Sequence, residues 1–319
     1  MRTAFVSLLI AAAALVALAF DAPKTSTKTG PAYIKDVQDY RVWRVNDDKQ
    51  NWATLAGLFW LKPGVNTFGT ASDNDIVLPK GTAAAHVGKL VFQQGDVRVE
   101  LEKGIAATMA DNSGTAKPFP GGMIMGDHDG NNKPWIMQIG KLQFRIIQRG
   151  KRTGLRLKDL ANPALKNFHS PQWYPIDPAY RVTATWEPGD GKRQIVVPNI
   201  LGDATPVTIS GTAHFTLNGK QFAITPVEGD PKKSVEFVFS DETTNKETYP
   251  AGRMVDAGPV TPDGKLLIDF NEAYNPPCAV TAFATCPIAP KENRLSVPVR
   301  AGAKYDKNAP HPGKIFVAP

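Results

Sequence analysis

Residues 269–294 concentrate the side chains of this sequence that are able to do chemistry. The segment reads DFNEAYNPPCAVTAFATCPIAPKENR and contains both cysteines of the chain, together with carboxylate, amide, phenol and guanidinium groups. Pro276 and Pro277 lack a backbone N–H and fix φ, which disfavours both helix and strand pairing at that point. We therefore expect a long irregular loop after a strand that spans residues 264–270.

The polar groups of this loop suit the recognition of a small polar or anionic ligand, because arginine forks and asparagine amides bind carboxylates, phosphates and sugars. With similar side chains from the preceding strands, the candidate ligand-binding residues are Arg181, Asp241, Tyr249, Arg253, Asp269, Asn271, Tyr274, Asn275, Asn293 and Arg294. The alternative is that these groups satisfy the loop's own backbone. In that case Arg253 and Arg294 anchor the loop to strand ends through Asp241 and Asp269.

Cys278 and Cys286 are predicted to form a disulfide that clamps the loop. The bond would close a loop of about nine residues, which corresponds to roughly 2–3 kcal/mol in the chain-entropy relation. The alternative is that both thiols stay reduced and only pack. An oxidised pair has no thiolate, so it would exclude a cysteine nucleophile.

Carboxylates offer an enzymatic alternative to simple binding. Asp241 and Asp269 would act as a general acid and base on a glycosidic or similar bond if both face one cleft. The sequence contains no G-x-S-x-G elbow, no Ser-x-x-Lys and no phosphate-cradling glycine loop. A third class is a structural or interaction module of the cell envelope, which would have no ligand pocket.

Metal and cofactor sites are not predicted. The histidines follow no HExxH motif and no zinc spacing, and they are His86, His128, His169, His214 and His311. Residues 127–132, DHDGNN, gather oxygen donors, but the glycine and the distant acid stand at the wrong offsets for a calcium loop. We interpret that run as a solvated turn.

The first 19 residues have the features of a secretory signal. Arg2 provides the positive end, and residues 4–18 are apolar apart from Ser7. Ala17 and Ala19 place small residues at −3 and −1 of a cleavage site after Ala19. The apolar run is too short and too rich in alanine for a membrane anchor. We therefore expect a secreted or periplasmic protein, where a disulfide is permitted, with residues 20–31 as a flexible leader.

Composition and charge narrow the class further. The chain has 319 residues with 27 glycines and 27 prolines among short Val, Ile, Phe and Thr runs, which favours a mainly β protein with frequent turns. The net charge is +7, but the basic residues are scattered, and no Lys/Arg run exceeds two. This pattern argues against nucleic-acid binding.

The spacing of apolar residues predicts two β lobes preceded by a short helix. Ile34, Val37 and Tyr40 recur every third residue, which indicates a helix within residues 32–45. Strands then recur every eight to twelve residues, as in an antiparallel sandwich or barrel. The Pro-rich segment 162–178 marks a boundary between an N-terminal lobe, 32–160, and a C-terminal lobe, 161–319.

The run DFN-AYNPPCA, followed by ATCP and ENRL, resembles the C-terminal signature of the bacterial domain-of-unknown-function family 1684. GLFWL, the NDIVLP near residue 76, the YP-D-YR of Tyr174 to Arg181 and the TY-AGR ending at Arg253 fit the same pattern. The resemblance implies a fold and the position of a site, but no reaction.

The N-terminal lobe also resembles a forkhead-associated sandwich, in the order LKPGVNTFGTASDNDIVLP and AAAHVGKLVF. In that fold, phosphothreonine is bound by an Arg after the Gly and by a Ser three residues before the His. Those positions are Thr70 and Ala83 here. The resemblance therefore implies the scaffold without its phosphate ligands.

Overall fold

The computed structural model describes residues 28–110, 116–119, 121–122, 124–125 and 136–308. The predicted signal and cleavage site, most of the leader, the DHDGNN turn and the tail from His311 lie outside the described residues.

The described chain divides into two units. One unit comprises residues 59–160, and the other comprises residues 28–58 together with 161–308. The division after Leu160 falls just before the Pro-rich segment. The predicted N-terminal lobe, 32–160, included the helix, whereas the structure groups the helix with the C-terminal residues. The reason is that the buried side of the helix bonds to residues beyond 161, as described below.

The first eleven strands form two sheets. The first sheet, in the order β1-β11-β10-β9-β6-β7, consists of β1 (Leu55–Trp60), β6 (Thr108–Ala110), β7 (Ala116–Pro118), β9 (Ile136–Ile139), β10 (Leu142–Arg149) and β11 (Arg152–Asp159). The second sheet, in the order β3-β2-β4-β5-β8, consists of β2 (Gly64–Gly69), β3 (Ile76–Val77), β4 (Gly88–Gln93), β5 (Asp96–Leu101) and β8 (Ile124–Met125). The β2–β3 pair is parallel. The rings of Phe68 and Phe144 meet edge-on between the sheets at 5.8 Å.

The second unit begins with helix α1 (Gly30–Asp47), which continues as a short π-helical turn, Asp48–Trp52. Its third sheet, in the order β16-β15-β12-β20, consists of β12 (Arg181–Pro188), β15 (Gly211–Leu217), β16 (Lys220–Ile224) and β20 (Lys265–Asp269). Its fourth sheet, in the order β17-β18-β19, consists of β17 (Glu228–Asp230), β18 (Ser234–Phe239) and β19 (Arg253–Ala257). A separate ribbon pairs β13 (Gln194–Pro198) with β14 (Ala204–Thr208). Short 3-10 helices span Pro163–Asn167, Pro178–Tyr180, Phe270–Glu272, Pro277–Ala279 and Lys291–Asn293.

Aromatic side chains from both sheets fill the core of the second unit. Phe270 is fully buried, and its ring contacts the rings of Phe215 at 5.8 Å and Phe239 at 5.1 Å. Gly211 is required where β15 crosses the ring of Trp186, because an added Cβ would lie 2.2 Å from a ring carbon. The core therefore joins the third and fourth sheets through large side chains that alternate along the strands.

Helix α1 is present as predicted, but its buried face differs from the predicted one. The sequence pattern pointed to Ile34, Val37 and Tyr40, whereas the structure buries Tyr33, Val37, Tyr40 and Arg44 and leaves Ile34 half-buried. The observed spacing of four, three and four residues is the true helical period of 3.6. Tyr33 and Arg44 are buried because they bond to Asp269 and Asp48 inside the unit. A pattern of apolar residues alone does not detect such positions.

The mainly β prediction is confirmed, with one N-terminal helix and several antiparallel sheets. None of the sheets closes into a barrel within the described residues, so the barrel option of the prediction does not hold there. The forkhead-associated resemblance stays a prediction. In the described part of the chain, no helix combines the length and the apolar character that a bilayer crossing needs.

Candidate functional site

Asp269 and Asn271 form the centre of a closed hydrogen-bond network at the end of β20. The Asp269 carboxylate accepts from the Tyr33 hydroxyl at 2.8 Å and from the Asn271 backbone N–H at 2.9 Å. The Asn271 amide bonds to Tyr33 Oη at 2.9 Å and exchanges bonds with the Asp177 backbone. Arg41 donates to the Asn271 carbonyl. Asp269 and Asn271 are fully buried, and burial raises the pKa of Asp269. These groups join α1 to the third sheet.

Arg253 and Asp241 form a buried ion pair. Arg253 Nη2 lies 2.9 Å from Asp241 Oδ2, and the two side chains are 0% and 1% exposed. The guanidinium also donates to the carbonyls of Val299, Ala301 and Ala303. This pairing is the anchoring alternative that the sequence offered for Arg253. It attaches residues 299–303 to β19.

The remaining loop residues are also occupied with backbone groups or lie at the surface. The Asn293 amide donates to the carbonyls of Thr225 at 2.7 Å and Val238 at 2.9 Å, so it fastens the loop to the residue that follows β16 and to β18. The Asn275 amide nitrogen donates to the Lys304 carbonyl at 2.9 Å, whereas its buried Oδ1 has no partner among the described residues. Arg294 is exposed and pairs through its backbone with Ser240, rather than through Asp269. Arg181 donates to the Lys28 carbonyl and lies over the Tyr33 ring at 4.8 Å.

Cys278 and Cys286 are adjacent, buried and free in the structure, without the predicted disulfide. The backbone N–H of Cys278 donates to Cys286 Sγ at 3.1 Å. Burial, followed by the neighbouring Cys278 thiol, raises the pKa of Cys286 well above its ordinary value. Tyr249 packs beside this pair and meets the ring of Tyr305 edge-on at 4.8 Å. The Cys286 thiol is therefore held in the protonated form, which is unreactive as a nucleophile.

Tyr274 is the predicted residue that leads to a different kind of site. Its hydroxyl lies 3.3 Å from Glu236 Oε2 and 3.3 Å from Asp256 Oδ2. The two carboxyl groups therefore share the Tyr274 hydroxyl, and both distances are long for an O–H···O bond. Among the described residues, the Tyr274 hydroxyl is the hydrogen-bond donor to Glu236 and to Asp256. Lone pairs on both carboxyls remain available to another partner.

Strand register brings the acidic side chains together. Glu236 stands directly opposite Glu228 on β17 and directly opposite Asp256 on β19. Side chains at directly opposed positions share one face of a sheet, and like charges there are destabilising. We call these three carboxylates the acidic row. Glu228 is exposed, whereas Glu236 and Asp256 are half-buried.

Helix α1 brings a tyrosine and an arginine to the same carboxyls. The Arg44 guanidinium lies 4.6 Å from the centre of the Tyr274 ring and 3.1 Å from Asp48 Oδ1. Tyr40 is 3% exposed, and its hydroxyl has no hydrogen-bond partner among the described residues. After burial, the charge that most affects Tyr40 is that of Asp256, and it raises the pKa of the phenol. The Tyr40 phenol therefore lies near Asp256 and has no hydrogen bond to it.

We call Tyr40, Arg44, Glu236, Asp256 and Tyr274 the Tyr274 cluster. Burial, with Asp256 and Glu228 as the next contributions, raises the pKa of Glu236 to about 8. Burial also raises the pKa of Asp256 and, with both carboxyls, that of Tyr274. At neutral pH Glu236 is therefore mostly protonated. The cluster is able to donate and accept protons as well as hydrogen bonds.

The sequence identified only Tyr274 of this cluster. Glu236 and Asp256 alternate with apolar residues along their strands, so in sequence they look like ordinary solvent-facing positions. The signal that would have found them is the register of β17, β18 and β19, because it places three acids in one row. Tyr40 and Arg44 belong to a helix that the sequence assigned to the other lobe. No group of His, Cys, Asp and Glu side chains that would hold a metal ion occurs in the described residues.

The second unit is thus mainly β and carries an acidic cluster lined by tyrosines, and comparisons with known proteins match part of it to a family. Residues 166–304 match the family described as "Protein of unknown function (DUF1684)", which confirms the resemblance for that part of the chain. The GLFWL and NDIVLP motifs lie outside the matched range. No curated protein matches the chain. The solved structure of an uncharacterized protein of Haloarcula marismortui is 27% identical, covers 46% of this chain and 82% of its own, and has a TM-score of 0.38.

Arg253→Met is expected to destabilise the fold by about 3–5 kcal/mol, because it leaves the Asp241 charge buried and unpaired. Urea denaturation measures the loss. Arg300→Met is the matched control, since Arg300 pairs with Glu247 at 3.2 Å on the exposed surface and should cost less than about 1 kcal/mol. Adding Asp241→Asn to Arg253→Met should cost less than the two single changes together. Equal losses for Arg253→Met and Arg300→Met would contradict the structural role.

Glu236→Gln is expected to change how stability depends on pH. The folded pKa of Glu236, about 8, lies above its ordinary value of 4.5. The folded state therefore holds the proton more tightly than the unfolded chain, and stability is lost as pH rises from 4.5 through 8. Glutamine does not ionise, so the stability of the variant should not fall in this way. At high pH its free energy of unfolding should exceed that of the wild type by on the order of 2 kcal/mol, which is less than the full pKa shift implies because solvent screens part of it.

Urea denaturation at a series of pH values between these limits measures that difference. Glu187→Gln is the control, because Glu187 is an exposed carboxylate whose Oε2 lies 2.8 Å from His214. Wild-type and Glu236→Gln curves that stay parallel across the whole range would show that Glu236 titrates as in the unfolded chain.

Proposed function

We propose that the C-terminal part of the chain binds a small polar ligand at the Tyr274 cluster. The observation that carries this proposal is the Tyr40 hydroxyl, which is 3% exposed and has no hydrogen-bond partner among the described residues. A buried hydroxyl without a partner costs about 1–3 kcal/mol. A ligand that bonds to Tyr40 and to the free lone pairs of Glu236 and Asp256 would offset that cost. The half-buried state of the two carboxyls gives such a ligand a route of approach.

This position differs from the one that the sequence suggested. The predicted residues Asp241, Arg253, Asp269 and Asn271 already bond to one another and to neighbouring groups of the fold. Three acids in one row also make an anionic ligand unfavourable, because like charges repel at short range. The ligand class therefore narrows to neutral polar or cationic molecules.

A second candidate is a hydrolase that uses Glu236 and Asp256, instead of Asp269 or Asp241, as acid and base. The specific observation is that the pKa of Glu236 is raised to about 8, so this carboxyl holds a proton at neutral pH. Both carboxyls lie 3.3 Å from Tyr274 Oη, so their oxygens are at most about 6.6 Å apart, a range that includes the roughly 5–5.5 Å of retaining glycosidases.

Tyr40→Phe separates a ligand site from a purely structural cluster. The change removes a hydroxyl without a partner, so we expect stability to stay within about 1 kcal/mol of the wild type or to increase. A panel of monosaccharides, amino acids, small amines and chromogenic glycosides would be tested for saturable thermal stabilisation and for turnover. The stabilisation by a panel member should fall in Tyr40→Phe and remain in the control Tyr180→Phe, whose ring packs against the main core.

Turnover that is lost in Glu236→Gln while the fold is kept would favour the hydrolase. Saturable stabilisation without turnover would favour the binding protein. If no compound stabilises the wild type, or if Tyr40→Phe responds to the panel as the wild type does, the Tyr274 cluster is not a ligand site, and the structural class is favoured.

We also propose that the chain is exported and that Cys278 and Cys286 form a disulfide after export. The support is the signal-like sequence of residues 1–19 and the 3.1 Å contact between the Cys278 N–H and Cys286 Sγ. Oxidation removes two protons and two electrons from the thiols, and a disulfide-bonded oxidant accepts them by exchange. The two free, buried cysteines of the structure are the reduced form of this pair.

Expression in a bacterium with an intact export pathway tests this proposal. We expect a mature chain that begins at Phe20 and is lighter than its reduced form by two hydrogen atoms in intact-mass spectra. Replacing both cysteines with serine should lower the stability of the oxidised protein by roughly 2–3 kcal/mol. The full-length chain in the cytoplasm, or a mature chain whose two thiols both react with an alkylating reagent after unfolding, would contradict it.

A further inference from the structure

We propose that the ligand of the Tyr274 cluster is an organic cation, whose ammonium or guanidinium group lies between Glu236 and Asp256. This inference deepens the function proposed above and rests on it. It names a ligand class that the family description leaves open.

The first argument is the register of the fourth sheet. Glu228, Glu236 and Asp256 stand directly opposite one another on three neighbouring strands. Directly opposed like charges destabilise a sheet, and no basic residue occupies any position of the row. At neutral pH the proton on Glu236 relieves this repulsion, and a cation bound there would relieve it instead and favour the ionised form of Glu236. The half-buried state of Glu236 and Asp256 strengthens the effect, because Coulomb interactions are larger where less water screens them.

The second argument is the unpaired hydroxyl of Tyr40. It is 3% exposed and has no partner in the part of the chain that the structure describes. A phenol oxygen accepts hydrogen bonds as well as donating them. An ammonium group has three donors and no acceptor, so Glu236, Asp256 and Tyr40 together offer it one acceptor for each hydrogen.

The third argument is that the cluster already holds a cation of this kind. The Arg44 guanidinium lies 4.6 Å from the centre of the Tyr274 ring and pairs with Asp47 and Asp48. Aromatic faces attract alkylammonium and guanidinium groups through the ring quadrupole. Tyrosine rings beside carboxylates therefore suit an organic cation, and Arg44 provides the example within the chain itself.

Cation binding should release a proton. The charged and titratable groups that face this part of the unit are Glu228, Glu236, Asp256, Tyr40, Tyr274, Arg44, Asp48, Glu272 and Cys286. Glu236 is the one among them with a pKa raised to about 8 by burial and its acidic neighbours. A bound cation stabilises its ionised form, so binding at neutral pH expels up to about one proton. A neutral ligand has no such effect.

Isothermal titration calorimetry of the full chain tests the inference. The probes are butylammonium, butylguanidinium, butanol, butyrate and calcium chloride, at constant ionic strength and slightly alkaline pH. We expect saturable binding of the two organic cations only. Glu236→Gln should weaken that binding by about tenfold, and the exposed control Glu187→Gln should leave it unchanged. Circular dichroism verifies that both variants are folded.

Repeating the titration at neutral pH in two buffers with different heats of ionisation measures the proton. A difference in binding enthalpy between the buffers that disappears in Glu236→Gln supports the inference. Tighter binding of butanol, butyrate or calcium than of the organic cations overturns the cation class, while the proposed ligand site stands. Absence of binding by any of these probes also overturns it, and the sugar and amino-acid panel then decides the proposed function separately.

Discussion

The stability of the second unit depends on hydrogen bonds to buried polar groups along residues 269–294, a segment that cannot pair as a strand. Pro276 and Pro277 remove donors from the chain, and the residues around them are largely buried. Polar side chains satisfy backbone groups in their place: Asn275 donates to the Lys304 carbonyl, and Asn293 donates to the carbonyls of Thr225 and Val238. The Asp269–Asn271 network holds the start of the segment, and the Arg253–Asp241 pair at 2.9 Å holds the residues that follow it. An unsatisfied buried polar group costs more than a typical net hydrogen bond contributes. Polar side chains that look catalytic in sequence are therefore used here for structure.

That constraint also explains why helix α1 belongs to the second unit. Tyr33 donates to Asp269 at 2.8 Å, and Arg41 donates to the carbonyl of Asn271. The same helix carries the buried Tyr40 and places the Arg44 guanidinium over the Tyr274 ring. The structural network and the Tyr274 cluster thus share one helix, and the first fixes the position of the second.

The structural carboxylates and the carboxyls of the Tyr274 cluster differ in how many of their hydrogen-bond partners lie within the protein. Asp241 and Asp269 each receive several short hydrogen bonds. Glu236 and Asp256 share one hydroxyl at 3.3 Å. A polar group whose partners all lie inside the protein serves the fold, whereas a group that lacks partners is a candidate for binding. The candidate site follows from that difference.

The sequence by itself determined the mainly β class, the N-terminal helix, the irregular proline-rich segment and the family resemblance of residues 166–304. These properties depend on local patterns: apolar alternation, turn residues and the missing N–H of proline. The tertiary structure alone decided which polar groups face one another. Glu236 and Asp256 are 20 residues apart in sequence, and only the register of β18 and β19 makes them neighbours. Tyr40 belongs to a helix about 200 residues earlier in the sequence, a separation over which no periodicity carries information.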